Sequence, residues 1–437
     1  MSAANPALDA CLAIVEMGRG LTVDAVEAYG VAGERTRVTC RGTDEASLAS
    51  GATGGVAVRV WRSGRVAHHA MEGVDVAPWR AALPRLAELA VQGAAAPPAE
   101  ARAALPAPVE LGIHDPSHAE WGDEQRIDWA LTAARLARDE MAAAGLVDLV
   151  YEDVGESVGI ASSLGHAGGY VRTRYQAWAW VETARGHLRG ATASRRWANL
   201  EPIRLEVRPA RPGTVAPAAL TDGPLDVLLP GWVAAHVARD AARLLSWETA
   251  RSQPPLVEAT GRRVAPPGLS LVDDPLLAGG LGTRPWDDEG RPVERQVLVR
   301  DGLLAGFLGR RTEAGVAWRQ DYRRLPRAGV SNPHFSPGAG AGPLGPADLG
   351  RGLRVDSLRR LPGLSGARLH LAVGGTWIED GAEAGATPPV ALAIGLLAFL
   401  AGVRRVGGDL TFPASAGGGG SPSLVVSGFR AELEMEP

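Results

Sequence analysis

Lysine is missing from this sequence of 437 residues, so all 45 of its basic residues are arginine. Against 49 acidic residues they leave a formal net charge of −4. No long run of basic residues occurs, and neither the net charge nor its distribution along the sequence is typical of a protein that binds nucleic acid. The arginine bias, together with much alanine, glycine and proline, indicates a GC-rich genome more than a function. We therefore expect no nucleic-acid partner.

Cysteine is also scarce, and two cysteines are too few for a disulfide framework. Cys11 and Cys40 lie far from any pair of histidines at zinc-binding spacing, so we expect each to be a small buried hydrophobic residue. The first residues show no basic stretch followed by an apolar one, so no secretory signal is visible. The most apolar run, residues 388–403, contains two glycines and is shorter than the ~20 residues of a membrane span. We expect a cytoplasmic protein with no membrane segment, in which this run is buried.

The length is too great for one ordinary hydrophobic core and predicts two domains, or three. A hydrophobic content of 46% and a charged content of 22% are those of a globular protein. Proline-rich residues 209–217 are the best candidate for a linker, which divides the chain into domains of residues 1–215 and 220–437. The expected fold class is α+β and rich in antiparallel sheet. The N-terminal domain should be mixed α/β, and the large C-terminal domain mainly β.

Periodicity places the elements of the first half. Apolar residues at helical spacing predict helices over residues 6–17, 79–92 and 124–144. Alternating residues predict strands over 23–31, 35–41, 56–61, 65–71, 149–152, 158–163 and 170–183. The last strand has one apolar face and one face that mixes Arg172 and Arg174 with Trp178 and Trp180, so we expect a half-buried antiparallel sheet. We interpret the mixed face as a protein interface, with a peptide or nucleic acid as the alternative ligand.

In the second half we expect a strand over residues 225–229, a helix from Gly231 to about Trp247 and a strand over 369–378. A hairpin over residues 296–308 should turn at Asp301-Gly302, a dipeptide that favours tight turns. Four consecutive glycines, residues 417–420, are of low complexity and predict a flexible loop.

The most informative stretch, residues 271–308, reads LVDDPLLAGGLGTRPWDDEGRPVERQVLVRDGLLAGFL. It combines an acidic residue before Pro-Leu, a glycine cluster, an Arg-Pro-aromatic step, an Asp-x-Glu-Gly turn and a hairpin. Farther on, a polar segment has a matching order of residues: Tyr322, Pro326, Arg327, Val330, Ser331 and Asn332. Both stretches resemble the TldD/PmbA family, whose members have been described as modulators of DNA gyrase. The specific motifs cover residues 270–335, and the order of elements agrees over most of the chain.

The TldD/PmbA family has two kinds of member. The TldD kind carries His-Glu-x-x-x-His on a helix, with a later cysteine, and binds catalytic zinc. The glutamate of that motif takes a proton from zinc-bound water. The PmbA/TldE kind lacks these ligands and resembles a structural half that pairs with the first.

In this sequence the corresponding helix reads GWVAAHVARDAARLLSWE. Asp240 lies four residues after His236, but Val237 stands where the zinc-binding kind has glutamate. We expect His236, Arg239, Asp240 and Arg243 to share an exposed face, where the two arginines repel a cation and pair with Asp240. No cysteine in the second half of the sequence completes the family's site. We therefore expect no metal and no cofactor in this chain, and zinc in a partner subunit.

The resemblance also implies where substrate lies. The candidates for lining a chamber shared with the partner are Tyr322, Arg327, Asn332, His334 and, on the helix, His236. No residue of this chain is expected to be catalytic.

The other histidines do not form a convincing constellation. His68 and His69 are adjacent on a strand and should point to opposite faces. His114 and His118 flank a proline and are interpreted as a solvated loop, with a metal as the alternative. His166 lies in a glycine-rich turn that could bring backbone near a ligand.

Nucleophiles and paired carboxylates also have plainer interpretations. Ser162 and Ser163 lie on a predicted strand, and no Gly-x-Ser-x-Gly elbow is present. Five carboxylates of the family stretch are interpreted as turn formers and ion-pair partners of Arg284 and Arg291, with acid–base catalysis as the alternative. They are Asp273, Asp274, Asp287, Asp288 and Glu289.

The resemblance therefore implies the zinc-free subunit of a TldD/TldE-like heteromeric metallopeptidase that degrades or matures unfolded or small peptides. Its partner would be a TldD-like subunit with His-Glu-x-x-x-His. Two alternatives stay open at this point: a regulatory or binding protein of the gyrase-modulator type, and a self-sufficient hydrolase with an atypical site.

Overall fold

A computed structural model describes residues 5–96, 105, 110–140, 147–183, 186–205, 218–309, 316–340 and 342–433. It confirms an α+β fold rich in antiparallel sheet. One sheet lies before residue 206, and the remaining sheets lie after residue 224. The predicted linker over 209–217 lies outside the described residues, so the domain limits stay predictions.

The first half is built on one sheet of eight antiparallel strands in the order β4-β3-β2-β1-β5-β6-β7-β8. The strands are β1 (Ala25–Arg41), β2 (Glu45–Arg62), β3 (Arg65–Glu72), β4 (Ala94–Ala95), β5 (Val147–Ser162), β6 (Ala167–Thr183), β7 (Gly186–Ser194) and β8 (Arg204–Leu205). Several predicted strands are pieces of longer ones, because β1 and β5 pair without interruption from Glu27–Ser162 to Arg41–Asp148. Polar and glycine residues in mid-strand hid this continuity.

Three helices cover one face of this sheet: α1 (Pro6–Gly18), α2 (Trp79–Ala90) and α3 (Asp123–Glu140). Asn5 begins α1 by accepting a hydrogen bond from the Leu8 amide at 2.9 Å, with Pro6 at the first helical position. Val26 and Ala28 at one end of β1, and Val38 and Cys40 at the other, pack under the helices. The opposite face carries Tyr29 and Val31 and packs against the second half of the chain. Both cysteines are free and buried, as predicted.

The second half has thirteen named strands and six α-helices among its described residues. The strands are β9 (Leu225–Leu229), β10 (Leu271–Asp273), β11 (Gln296–Arg300), β12 (Leu303–Leu304), β13 (Ala317–Trp318), β14 (Arg327–Ala328), β15 (Pro333–Phe335), β16 (Gly352–Ser365), β17 (Arg368–Glu379), β18 (Ala382–Ala386), β19 (Val390–Gly395), β20 (Val403–Val406) and β21 (Leu424–Leu433). The helices are α4 (Ala218–Thr221), α5 (Gly231–Leu244), α6 (Trp247–Ala250), α7 (Pro254–Glu258), α8 (Pro346–Leu349) and α9 (Leu396–Gly402).

Five of these strands close a ring in the order β16-β9-β21-β19-β17, because β17 pairs back onto β16. Strands β18 and β20 extend it, and among the described strand pairs of this sheet β9 and β16 are the parallel one. A smaller sheet, β12-β11-β10-β15, lies beside the ring, and helix α5 packs in the core that both share. The predicted hairpin turns at Asp301-Gly302, where both residues adopt positive φ.

The apolar run over 388–403 is confirmed as a buried core element, since it forms β19 and α9. No helix in the described part of the chain is long and apolar enough to cross a membrane.

Candidate functional site

Helix α5 is the helix that the sequence resemblance matches to the zinc helix of the TldD kind, and it is buried on almost every side. His236 is 5% exposed and Asp240 is 7% exposed. The predicted exposed polar face is therefore wrong for these two residues. The cause is the 3₁₀ turn Ala414–Ala416, which packs over α5. His236 Nε2 lies 3.1 Å from Ser415 Oγ, and Arg239 donates to the Ala416 carbonyl at 3.2 Å.

The residues at this position do not fit zinc. Burial, and then the charge of Arg239, lower the pKa of His236 to about 4. Burial raises the pKa of Asp240 to about 6, although Arg243 and Arg239 act against it. Arg243 makes the predicted ion pair with Asp240, at 4.0 Å. Two guanidinium groups thus border the only two ligand-type side chains of the helix, and no group of three His, Cys, Asp or Glu side chains suited to a metal exists among the described residues.

The glycine run is not a flexible loop, so that prediction is wrong. Gly418, Gly419 and Gly420 are buried between α5, β15 and the Phe412 ring. A Cβ on Gly418 would lie 2.6 Å from the Ser331 carbonyl oxygen. A Cβ on Gly419 would lie 2.6 Å from the carbonyl oxygen of Ala235, which belongs to α5. Glycine is required here because backbone packs on backbone, a close approach that a low-complexity pattern does not reveal.

The buried Asn332 and the half-buried His334 lie beside the same glycines. Asn332 is fully buried: its amide donates to the Asp274 carbonyl at 2.7 Å and to Thr283 Oγ1 at 2.9 Å, and its oxygen accepts from the Gly282 amide at 2.9 Å. His334 Nδ1 lies 3.0 Å from the Asn332 carbonyl. The Asn332 contacts hold the glycine cluster of the family stretch in place.

The carboxylates of the family stretch shape turns and join the two halves. Burial raises the pKa of Asp273 to about 6, and its carboxylate accepts from the Ser331 amide and hydroxyl. Asp287 accepts the amides of Glu289 and Arg291 in the predicted turn.

Asp288 is 2% exposed and links the halves. It pairs with Arg284 at 2.9 Å and accepts from the Tyr29 hydroxyl at 3.2 Å. Beside it, Arg59 of the first half pairs with Glu289 at 2.9 Å. The predicted ion pairs are therefore present, and two further contacts cross to the N-terminal sheet.

Tyr322 and Arg327 border two adjoining cavities between the halves of the chain. Tyr322 packs its ring on Gly55 of β2, at a site too tight for a Cβ. Arg327 is exposed at the larger cavity, whose volume is about 990 Å³. The smaller cavity, of about 370 Å³, includes Tyr322 in its lining. Of the predicted chamber residues, the structure brings these two to one recess and places the other three in the buried region of α5 and the glycines.

We call the two cavities together the arginine recess. Arg284, Arg319, Gln320 and Arg323 line both. Three carboxylates take part in the lining, namely Glu156, Glu248 and Asp321. Eleven arginines take part: Arg35, Arg172, Arg174, Arg195, Arg239, Arg243, Arg284, Arg319, Arg323, Arg324 and Arg327. The sequence predicts local roles for six of them but not their convergence, because the eleven are scattered over almost 300 residues of the chain.

Aromatic rings orient two of these arginines. The Arg284 guanidinium lies 4.6 Å from the Trp318 ring centroid, and that of Arg319 lies 4.7 Å from the Tyr29 ring. Burial, followed by neighbouring arginines, lowers the pKa of Arg195 to about 9 and also depresses the pKa of Arg319. The recess is therefore a region of concentrated positive charge in a chain whose net charge is negative.

The predicted mixed face of β6 is confirmed. Its arginines and its exposed tryptophan lie at different ends of the strand. Arg172 pairs with Glu156 at 2.5 Å and, with Arg174, lines the recess. Trp180 is 38% exposed at the other end of the strand.

The remaining histidines contact other parts of the protein. His68 and His69 point to opposite faces, since His68 lines the recess and His69 makes an edge contact with Trp79, with 5.8 Å between the ring centroids. His118 lies on the 3₁₀ turn Pro116–Glu120, 2.8 Å from Asp153. His166 is fully buried in its turn.

Asp153 gathers three donors in the interior of the first half. Besides His118, it accepts from Arg126 at 2.7 Å and from the Tyr151 hydroxyl at 2.7 Å. These bonds outweigh burial and lower its pKa. The two candidate serines bond to backbone: Ser163 Oγ accepts from the Val26 amide and Ser162 Oγ from Leu164.

The sequence of this chain is similar to those of known metallopeptidases. Residues 223–432 match the family model of the PmbA/TldA metallopeptidase C-terminal domain. The chain is 30% identical over 86 residues to a metalloprotease TldD homolog of Haemophilus influenzae, a segment that is 18% of each chain. It is 28% identical over 176 residues to a metalloprotease of Synechocystis, 37% of each chain. These matched segments cover less than two thirds of the relatives' length.

Solved structures agree over both halves of the chain. TldE from Thermococcus kodakarensis has a TM-score of 0.77 at 16% identity, covering 97% of this chain and 99% of that one. A proposed modulator of DNA gyrase from Thermotoga maritima has a TM-score of 0.74 at 16% identity, with the same coverage. At such identities the likeness shows the fold.

Proposed function

Because this chain belongs to the PmbA/TldD family, we propose that it is the zinc-free subunit of a two-subunit metallopeptidase. The observation that carries the proposal is the composition of helix α5. Val237 follows His236 where a zinc-binding member has its glutamate, and Arg239 and Arg243 border the remaining carboxylate. A cation and an activated water need the opposite environment.

The zinc ligands and the general base would then belong to a TldD-like partner with His-Glu-x-x-x-His. This chain would supply one wall of the chamber that holds the peptide. Tyr322 and Arg327, at the arginine recess, are the candidates for contact with substrate. His236, Asn332 and His334 would keep the shape of that wall through their buried hydrogen bonds. We place the complex in the cytoplasm, acting on unfolded or small peptides.

The test is co-expression with a homologue that carries His-Glu-x-x-x-His. The purified pair should contain one zinc per partner subunit and cleave an unfolded peptide, whereas the isolated chain should contain no stoichiometric zinc and cleave nothing. The matched control replaces the partner's motif glutamate with glutamine, which should leave the pair assembled and inactive.

Two results would reject the proposal. Peptide cleavage by the isolated chain, lost on His236→Ala, would favour a self-sufficient hydrolase. Co-purification with gyrase in place of a peptidase partner would favour the regulatory alternative.

A further inference from the structure

The arginine recess contains more positive charge than the described carboxylates neutralise. Six of its arginines make no ion pair within 4.0 Å with any carboxylate of the described residues; they are Arg174, Arg195, Arg239, Arg319, Arg324 and Arg327. Arg195 and Arg319 are buried among them, and charged groups that leave water without a counter-ion are costly, so a protein seldom keeps them without a use.

Donor atoms in the recess also lack acceptors. Arg319 is 7% exposed, and its Nε is buried with no hydrogen-bond partner in the described part of the chain. The same holds for the Nε atoms of Arg174 and Arg239 and for the indole nitrogen of Trp318. Each of these side chains lines the recess. Unsatisfied buried donors are rare in folded proteins, and their convergence on the recess indicates an acceptor other than the described residues.

We propose that the arginine recess binds the carboxylates of an acidic peptide segment. The guanidinium fork matches a carboxylate in two parallel hydrogen bonds, and Tyr29 and Trp318 hold two of the forks in fixed planes. The arginines without a described ion pair are spread along the recess, from Arg174 on β6 to Arg327 on β14, which suits several charges along an extended chain. The two volumes are those of a site for a few residues.

The peptide identity of this ligand rests on the proposed function, whereas the anionic character follows from the recess alone. Nucleic acid is the competing polyanion. The positive charge lies in a recess between two halves of an acidic chain and not along an exposed face, which favours a narrow ligand with separate carboxylates over a polyphosphate backbone.

Binding to the isolated full-length chain tests this proposal without a partner or activity. Two fluorescein-labelled eight-residue peptides serve as probes, one with four glutamates and one with glutamine in their place. A single-stranded oligonucleotide of the same length is the third probe. Fluorescence anisotropy should show the glutamate peptide binding at least about tenfold more tightly than the glutamine peptide, with affinity falling as salt increases.

Arg327→Gln and Arg319→Gln should each weaken binding of the glutamate peptide by about tenfold. Arg300→Gln is the matched control, because Arg300 is equally an arginine of the second half but is exposed on β11, outside the lining of the recess. Arg327 is exposed, so its variant should fold even where Arg319→Gln does not.

Equal affinity for the two peptides would overturn the proposal, as would Arg327→Gln binding no more weakly than Arg300→Gln. Tighter binding of the oligonucleotide than of the glutamate peptide would overturn it in favour of nucleic acid. Selective binding of the glutamate peptide by a chain that fails to pair with a His-Glu-x-x-x-His partner would keep the anion site and reject the proposed function. An active pair that binds and cleaves both peptides equally would keep the proposed function and reject the anion site.

Discussion

Gly419→Ala should destabilise this protein although the substitution adds one methyl group. The new Cβ would lie 2.6 Å from the carbonyl oxygen of Ala235 and 3.2 Å from the Arg239 Cβ. Neither can withdraw easily, because both belong to helix α5, which is packed in the main core. The segment that carries Gly419 cannot move away from α5 easily either, because the amide of Gly420 donates to the Pro333 carbonyl at 2.9 Å.

Overpacking of this kind costs about 1–3 kcal/mol. Replacing glycine by alanine restores about 0.4–1 kcal/mol through the unfolded chain, since Gly419 has no positive φ that alanine would strain. The expected net loss is about 1–2 kcal/mol, or about 2–8 °C in melting temperature for a cooperative unit of this size.

Thermal unfolding followed by circular dichroism and tryptophan fluorescence measures the change. Gly306→Ala is the matched control, because a Cβ there meets nothing within 4 Å, so its melting temperature should stay equal or rise slightly. If Gly419→Ala and Gly306→Ala have the same melting temperature, the backbone at the glycine run can move to accept a methyl group. The packing there is then not as tight as described.

Three further predictions concern buried polar groups. Asp153→Ala should lower the free energy of unfolding in urea by about 3–5 kcal/mol, because its buried partner Arg126 loses its counter-ion. Glu110→Ala breaks an exposed pair with Arg196 and should lower it by less than about 1 kcal/mol. Similar losses for the two variants would contradict this prediction. Tyr29→Phe should lower the free energy of unfolding by about 1 kcal/mol, because it removes the hydrogen bond to Asp288. Tyr170→Phe should leave it unchanged, because that buried hydroxyl has no described partner. A larger loss for Tyr170→Phe than for Tyr29→Phe would refute the assignment. His236 keeps a pKa of about 4 when folded but about 6.5 when unfolded, so only the unfolded chain takes up its proton as pH falls through that range, and stability is lost. Between pH 7 and 4.5, the free energy of unfolding of His236→Gln in urea should therefore fall by about 2–3 kcal/mol less than that of the parent protein. Equal falls for variant and parent would exclude His236 as the cause.

Sequence patterns predicted the elements well where one physical rule acts locally. The Asp301-Gly302 turn, the mixed face of β6 and helix α2 all follow from periodicity or turn chemistry within a few residues. The strands β1 and β5 were predicted as fragments, since glycines and charges in mid-strand resemble breaks when the neighbouring strand is not known.

The site was harder to predict because its properties are not local. The polar pattern of α5 predicts an exposed face, and nothing near His236 in sequence reveals that Ser415 covers it. The arginine recess has no sequence pattern at all: Arg35 and Arg327 belong to one lining but are separated by most of the chain. A formal net charge of −4 hides this separation of charge, which only folding creates.

The arginine recess also bears on how the two halves hold together. Its arginines come from both halves, so their repulsion acts to part them, against the Arg59–Glu289 pair and the Tyr29–Asp288 bond. Repulsion of this kind is strongest in dilute buffer and is relieved by a bound polyanion. Calorimetry should therefore resolve two separate melting steps at low ionic strength and one combined step once the recess is filled, which makes an occupant of the recess part of the cohesion of the molecule.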